Sequence, residues 1–217
     1  MKVNQSPVCK PSFGAIKIAD TKNYIKNIET PISVYFITQK DNAFLDKLGK
    51  SIKMRDLMSK LSENMCNIWQ EIFKLSISQA QGKDKFTLMG FFKNKPCSVM
   101  NYTKEKNSYK INTICSWPVE PDKKVPYAGK TLFSVLFRDF LQNDFSHIDL
   151  DAITNGPFNA VGKYMSLGFK QRGGENYILA MRANKESVVK SLNSLDKIIR
   201  VKPSVCFDEV DLLGKIE

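Results

Sequence analysis

Residues 148–182 read IDLDAITNGPFNAVGKYMSLGFKQRGGENYILAMR, and the predicted fold is built around this stretch. From 148 to 153 apolar residues occupy every second position, which is the period of a strand with one buried face. Pro157 suits the first position of a helix, where no N–H is needed, so a helix is predicted from there to Gly168, which supplies a left-handed stop. Strands are predicted on both sides of Gly173-Gly174, because glycine accepts the positive φ angles of a hairpin turn.

Four residues in this stretch stand in a distinctive order: Ala160, Tyr164, Gly168 and Phe169. Their spacing resembles the C-terminal half of the GNAT superfamily of N-acetyltransferases, whose pattern is Asn-x-x-Ala-x-x-x-Tyr-x-x-x-Gly-Phe. Pro157 stands at the Asn position, which is a departure from the family. The alternative interpretation is a generic helix–strand junction with a core tyrosine.

The segment before this stretch alternates strand and helix patterns. Strands are predicted at 86–92, 97–103 and 109–117, and their short connections imply antiparallel neighbours. A strongly amphipathic helix is predicted at 128–143, so that the strand before it, this helix and the strand at 148–153 form a parallel crossover. The resemblance implies an α+β (α/β) fold, with a mixed, mostly antiparallel central sheet, this crossover and helices on both faces.

The remaining elements follow from hydrophobic periodicity. They are a strand at 13–18, a first core strand at 32–38, two helices between 44 and 61 that part at Gly49, a helix at 64–81, a helix at 185–199 and a short strand at 204–207. We expect a single domain over residues 1–217. Its core spans about 32–182, with an N-terminal arm at 1–31 and a C-terminal helix and tail at 183–217.

The N-terminus of the helix at 128–143 is a candidate phosphate site, because the first turn of a helix has unpaired amides and a positive dipole end. The resemblance implies that the pyrophosphate of acetyl-CoA (acetyl-coenzyme A), used as a substrate, binds here. The residues concerned are Gly129, Lys130, Thr131 and Leu132, through their backbone amides and the charge of Lys130. Ala128, Thr131 and Phe133 depart from the family's Arg/Gln-x-x-Gly-x-Gly/Ala loop, and an ordinary helix cap is the alternative.

The resemblance also implies direct attack of an amine on the thioester, helped by a base, an oxyanion donor and an acid. Backbone amides near Ile114, Cys115 and Ser116 would hold the carbonyl where the two parallel strands splay apart. Asn155 and Ala160 would lie beside the cofactor. Tyr164 is the candidate acid for the leaving thiolate, with a buried structural tyrosine as the alternative. Glu120 is the favoured base, and Asp151 and His147 are the other candidates.

Composition limits the chemistry further. One histidine and five scattered cysteines without a Cys-x-x-Cys pair favour reduced thiols, and no metal is predicted. The N-terminus has no secretory signal pattern and no run is long enough to span a bilayer, so we expect a cytoplasmic protein without a membrane partner. The partner is an amine-bearing acceptor, a small molecule or a protein, and the chain is expected to be a monomer or homodimer.

The net charge of +11 is unevenly placed, since residues 1–60 carry 11 basic and 5 acidic side chains. This excess makes a basic nucleic-acid-binding module one alternative function. However, 28 of the 33 basic residues are lysines, which lack the planar fork that reads bases and phosphates. A second alternative is a catalytically weak or inactive GNAT-like protein that binds an acyl-CoA or a partner.

Overall fold

A single mixed sheet forms the centre of the protein. The computed structural model describes residues 15–25, 28–82, 84–154 and 159–204. The strands within them are β1 (Ile16–Ile25), β2 (Ile28–Ile37), β3 (Phe86–Phe92), β4 (Lys95–Glu105), β5 (Ser108–Ser116), β6 (His147–Ile153), β7 (Lys170–Glu175), β8 (Ile178–Asn184) and β9 (Ile199–Pro203). Their order is β7-β8-β6-β5-β4-β3-β2-β1-β9. All neighbours are antiparallel except β5 and β6, which are parallel.

Helices cover both faces of this sheet. They are α1 (Asn42–Ser51), α2 (Met54–Leu57), α3 (Glu63–Ala80), α4 (Ala128–Gln142), α5 (Val161–Met165) and α6 (Lys185–Leu195). The first three pack with Met89 and Val99 on one face, and the last three pack with Leu88 and Met100 on the other. Neighbouring residues of β3 and β4 thus enter opposite cores, which explains their continuous apolar sequences. The predicted mixed sheet with helices on both faces is confirmed.

The predicted crossover is also confirmed. β5 and β6 pair in parallel from Ser108 opposite His147 to Ile111 opposite Leu150, and α4 connects them. The apolar stripe of α4 is completely buried at Leu132, Leu136, Phe137 and Phe140. None of the helices in the described part of the chain has the length and apolar character needed to cross a membrane.

The N-terminal segment differs from the prediction. Residues 16–25 and 28–31, expected as part of an arm outside the core, form β1 and the first part of β2 within the sheet. Hydrophobic alternation fails in β1 because Thr21 and Asn23 are buried polar residues. Thr21 donates to the Ile32 carbonyl at 2.9 Å, and Asn23 donates to Thr131 Oγ1 at 3.1 Å. Burial of hydrogen-bonded polar groups costs little, so this strand is stable without an apolar pattern.

The break between α1 and α2 lies at residues 52–53 and not at Gly49, which is inside α1. The Gln70 side chain on α3 makes this break. Its Oε1 accepts from the Met54 amide at 2.8 Å, and its Nε2 donates to the Ile52 carbonyl at 3.2 Å. Because a residue far along the chain satisfies both backbone groups, the local sequence does not reveal the position of the break.

The hairpin after α5 turns at Asn176-Tyr177, whereas the prediction placed the turn at Gly173-Gly174. Asn176 has a φ of 55°, a left-handed conformation that asparagine tolerates well. The two glycines are within β7, where the register shifts between Gln171 and Gly173. A Cβ at Gly174 would lie 2.4 Å from the Ile178 carbonyl oxygen, so close backbone approach explains that glycine.

The C-terminal elements are shifted as well. The final helix was predicted to reach residue 199 but ends at Leu195, and Ile199–Pro203 forms β9 as an edge strand beside β1. The strand predicted at 204–207 is mostly outside the described residues. The helix predicted to start at Pro157 is observed only as α5, and residues 155–158 lie outside the described part of the chain.

Candidate functional site

The two parallel strands separate beyond Ile111 and Leu150, where their pairing ends. β5 continues to Ser116, and β6 continues to Ile153. Asn112 is bulged, because Ile111 and Thr113 face consecutive residues of β4. A bulge bends the strand that contains it. The result is an opening between β5 and β6 at their carboxyl ends, where the resemblance implies that the thioester binds.

The register with β4 decides which amides face this opening. The Trp117 amide donates to the Cys97 carbonyl on β4 at 2.9 Å. Amides alternate in direction along a strand, so Cys115 also points to β4, while Ile114 and Ser116 point to the opening. The β5–β6 ladder does not reach either residue. Of the three predicted carbonyl-binding residues, Ile114 and Ser116 have amides in the right direction.

The N-terminus of α4 lies beside the same opening. A Cβ at Gly129 would be 3.8 Å from Ile114 Cδ1 on β5. Tyr127 precedes the helix with a φ of 58° and caps it with no side-chain hydrogen bond. The Thr131 amide donates to the Tyr127 carbonyl at 2.8 Å, and the helical pattern assigns the Leu132 amide to Ala128. The amides of Gly129 and Lys130 remain for a ligand.

The side chains of this first turn also divide into one that stays at the end of the helix and others that are buried. Lys130 Nζ lies 5.5 Å from the Tyr127 ring centroid, a cation–π contact that keeps the ammonium at the helix N-terminus. Thr131 is buried, and its hydroxyl is hydrogen bonded to Asn23. Leu132 and Phe133 are buried in the core. Ala128, Thr131 and Phe133, which depart from the family loop, are therefore buried inside the protein and do not cover the N-terminus of α4.

Tyr164 lies between the open end of β6 and the first turns of α4. Ala160, the residue before α5, donates its amide to the Ile153 carbonyl of β6 at 3.3 Å. The Tyr164 ring is 6.1 Å from that of Phe133 and 6.2 Å from that of Phe169, measured between centroids. Its hydroxyl has no hydrogen-bond partner among the described residues, and burial raises its pKa. The phenol is therefore protonated at neutral pH.

The candidate bases are exposed or distant. Glu120 is 47% exposed, and its ion pair with Lys123 at 2.8 Å lowers its pKa. Asp151 is exposed and pairs with Lys110 at 3.4 Å. His147 faces Ser108 at the end of β5 remote from the opening. Of the three candidates, Glu120 lies nearest to the end of β5 in the sequence. Because its carboxylate is exposed, a proton from the opening would reach it through water.

Three further predictions concern Asn155, the basic residues of the first sixty and a metal site. Asn155 lies outside the described residues. Several basic residues of the first sixty are in ion pairs: Lys17 with Asp20, Lys22 with Glu29 and Arg55 with Glu63. In the part of the chain that the structure describes, no group of three or more His, Cys, Asp or Glu side chains is arranged to hold a metal.

An open parallel strand pair beside a free helix N-terminus is the arrangement of the GNAT fold, and solved structures agree. The chain is similar to an uncharacterized protein from Bacillus halodurans, with a TM-score of 0.55 and 13% identity over 83% of this chain and 98% of that one. It is similar to aminoglycoside 6'-acetyltransferase type Ii, with a TM-score of 0.51 and 11% identity over 70% of this chain and 96% of that one. The chain has the fold of the GNAT superfamily of N-acetyltransferases.

A further similarity is to the PaiA N-acetyltransferase from Thermoplasma acidophilum in complex with coenzyme A, with a TM-score of 0.49 and 19% identity over 70% of this chain and 98% of that one. No protein-family model and no curated protein matches the sequence. At these identities the likeness concerns the fold.

Proposed function

We propose that this protein is an N-acetyltransferase that moves an acetyl group from acetyl-CoA to an amine by direct attack. The observation that carries the proposal is the opening between β5 and β6, which lies beside the N-terminus of α4 and the phenol of Tyr164, a group with no hydrogen-bond partner among the described residues. No other function considered for this chain requires these three features together. The aminoglycoside 6'-acetyltransferase with the same fold is consistent with an amine acceptor.

The residues present fit coenzyme A. Its pyrophosphate needs hydrogen-bond donors and positive charge, which the amides of Gly129 and Lys130, the Lys130 ammonium and the helix dipole supply. Its extended arm needs an unpaired strand edge, which the opening beyond Ile111 supplies. Thr131 does not obstruct the N-terminus of α4, because its hydroxyl is hydrogen bonded to Asn23 inside the protein.

The same residues support acyl transfer. Acetyl-CoA supplies the acetyl group as a thioester when it is bound. One of the outward-facing amides of β5, that of Ile114 or that of Ser116, donates to the carbonyl oxygen as negative charge develops on it. Tyr164 gives its phenolic proton to the departing sulfur, and Glu120 accepts the proton of the amine through water. Ala160 positions Tyr164 by joining α5 to the end of β6.

Direct attack is favoured over a covalent acyl-cysteine. Cys115 is the cysteine of the opening, and its side chain is buried on the opposite face, against α3. Burial raises the pKa of Cys115 to about 12. A thiol with that pKa has almost no reactive thiolate at neutral pH. The amine therefore attacks the thioester itself.

Thermal unfolding with coenzyme A, acetyl-CoA and ATP in parallel tests the proposal. A ligand at 100 times its Kd adds about 2.7 kcal/mol of stability. For a chain of this length that raises Tm by roughly 5–10 °C. We expect this shift with both coenzyme A species and not with ATP, followed by acetyl-CoA hydrolysis or transfer when amines are added. Binding without turnover would instead identify an inactive acyl-CoA-binding protein, and no shift would contradict the proposal.

The variant Lys130→Ala is expected to weaken coenzyme A binding about fivefold. The reason is that one exposed ion pair contributes ~1 kcal/mol, which corresponds to this change in Kd. The loss should shrink as salt is added, because salt screens exposed charges. Isothermal titration calorimetry at two salt concentrations measures both effects. Lys106→Ala is the matched control, because Lys106 is an exposed lysine in the β4–β5 turn, at the other end of the sheet. Equal affinities for the two variants would remove Lys130 from the site.

A further inference from the structure

A cavity of about 320 Å³ lies where β5 ends, next to the opening between β5 and β6. Helix α1 forms one wall, and the segment after β5 forms the other. Its apolar lining is Phe44, Leu48, Ile52, Leu57, Trp117 and Val119. This volume is at the lower limit for small-molecule sites, and such a lining suits a small apolar body. The Ser116 amide faces the opening and the next residue, Trp117, lines the cavity. The opening and the cavity are therefore adjacent at the end of β5.

The charged residues that line the cavity are Lys47 and Lys95. Both are exposed, and neither is in an ion pair within the described residues. The part of the chain that the structure describes contributes no carboxylate to the lining. Glu120 follows the lining residue Val119, and its carboxylate is paired with Lys123 and also interacts with Lys95 over a longer distance. The cavity is therefore positive, which attracts an anion and repels a polycation.

We propose that the acceptor is a small amine that also carries an apolar body and a carboxylate, the chemistry of an apolar α-amino acid. The apolar body contacts the α1 wall, and the carboxylate pairs with Lys47 and Lys95. In the transfer, the acceptor nitrogen bonds to the acetyl carbon and the carbon–sulfur bond breaks. The amine proton goes to the base and the sulfur receives the proton of Tyr164, which leaves an N-acetyl amino acid and free coenzyme A. The transfer step rests on the proposed function, but binding of the acceptor does not.

The probes are phenylalanine, its neutral analogue phenylalaninamide, and the polycation spermidine. Binding is measured without coenzyme A by calorimetry, and transfer is measured as kcat/KM with acetyl-CoA. One charge-assisted interaction lost in phenylalaninamide corresponds to about a tenfold difference. We expect phenylalanine to exceed phenylalaninamide by about tenfold in both measurements and spermidine to be at background.

Lys95→Gln and Lys47→Gln each test the carboxylate contact. Either change should raise the Kd for phenylalanine about tenfold and leave that for phenylalaninamide within about twofold. Lys50→Gln is the matched control, because Lys50 is exposed on α1 and does not line this cavity. Preference for spermidine or phenylalaninamide, or equal effects of all three variants, would overturn the assignment.

The two proposals fail separately. Acetyl transfer to other amines without phenylalanine binding would overturn the acceptor class and leave the transferase intact. Lysine-dependent phenylalanine binding without coenzyme A binding would overturn the transferase and support the acceptor site.

Discussion

Tyr164→Phe is expected to lower kcat for acetyl transfer by about 100-fold or more, because general acid catalysis typically contributes 10²–10⁴-fold. The change removes the hydroxyl and keeps the ring that packs between Phe133 and Phe169. No described residue depends on the hydroxyl for a hydrogen bond, so Tm should stay within about 1 °C. Steady-state kinetics measure kcat, and the Kd for coenzyme A should be unchanged.

Tyr177→Phe is the matched control for this change, because Tyr177 is 65% exposed on the β7–β8 hairpin. It should retain full activity. If Tyr164→Phe also retained the wild-type kcat, Tyr164 would be a structural residue and another group would protonate the sulfur.

The pH profile gives a second measurement of the same role. Burial raises the pKa of Tyr164 above the usual 10.0 of a phenol, so its proton-donating form persists beyond pH 10. The fall in kcat caused by Tyr164 ionisation should therefore lie above pH 10, with no decline between pH 8 and 10 on its account. A decline centred below pH 10 that disappears in Tyr164→Phe would contradict this assignment.

Gly168→Ala is expected to destabilise the fold by about 3 kcal/mol, from two causes. Gly168 has a φ of 85°, and a left-handed conformation costs a residue with a Cβ roughly 1–2 kcal/mol. The new Cβ would also lie 2.6 Å from Ser191 Oγ and 2.9 Å from the Ser187 carbonyl oxygen on α6. Overpacking of this kind costs typically 1–3 kcal/mol.

Urea or thermal unfolding measures this loss, and Tm should fall by roughly 6–12 °C. Gly162→Ala is the matched control in the same segment, because nothing lies within 4 Å of its Cβ position and its φ is not positive. That variant should be neutral or slightly stabilising. Gly168→Asn separates the two causes, since asparagine tolerates the left-handed backbone but retains the close contacts. Full recovery of stability in Gly168→Asn would show that packing against α6 contributes nothing.

The helices with wide apolar stripes could be read from the sequence almost to the residue. α4 was predicted at 128–143 and is observed at Ala128–Gln142, and α3 was predicted at 64–81 and is observed at Glu63–Ala80. Hydrophobic periodicity is a local property that burial of one face enforces. By contrast, β1 has no such pattern. Its buried Asn23 is hydrogen bonded to Thr131, which lies 108 residues further along the chain and could not be paired with it from the local sequence.

The candidate site shows the same division. The order of Ala160, Tyr164, Gly168 and Phe169 identifies the fold, and the glycine at the positive φ is confirmed. However, the sequence does not show that Ile114 and Ser116 face the opening while Cys115 does not, because the register with β4 decides it. A shift of one residue in that register would reverse the direction in which each of these three amides points.

Local sequence patterns are therefore enough to predict the order of the main elements, the parallel crossover and the helix that begins beside it. These follow from periodicity and from turn residues, which act over a few neighbours. The position of the break after α1, the direction of the β5 amides and the charges around the cavity at the end of β5 became evident only in the folded molecule. Those features depend on how segments far apart in the chain come together, such as the hydrogen bond from Gln70 to Ile52 and the placement of Lys47 and Lys95 around one cavity.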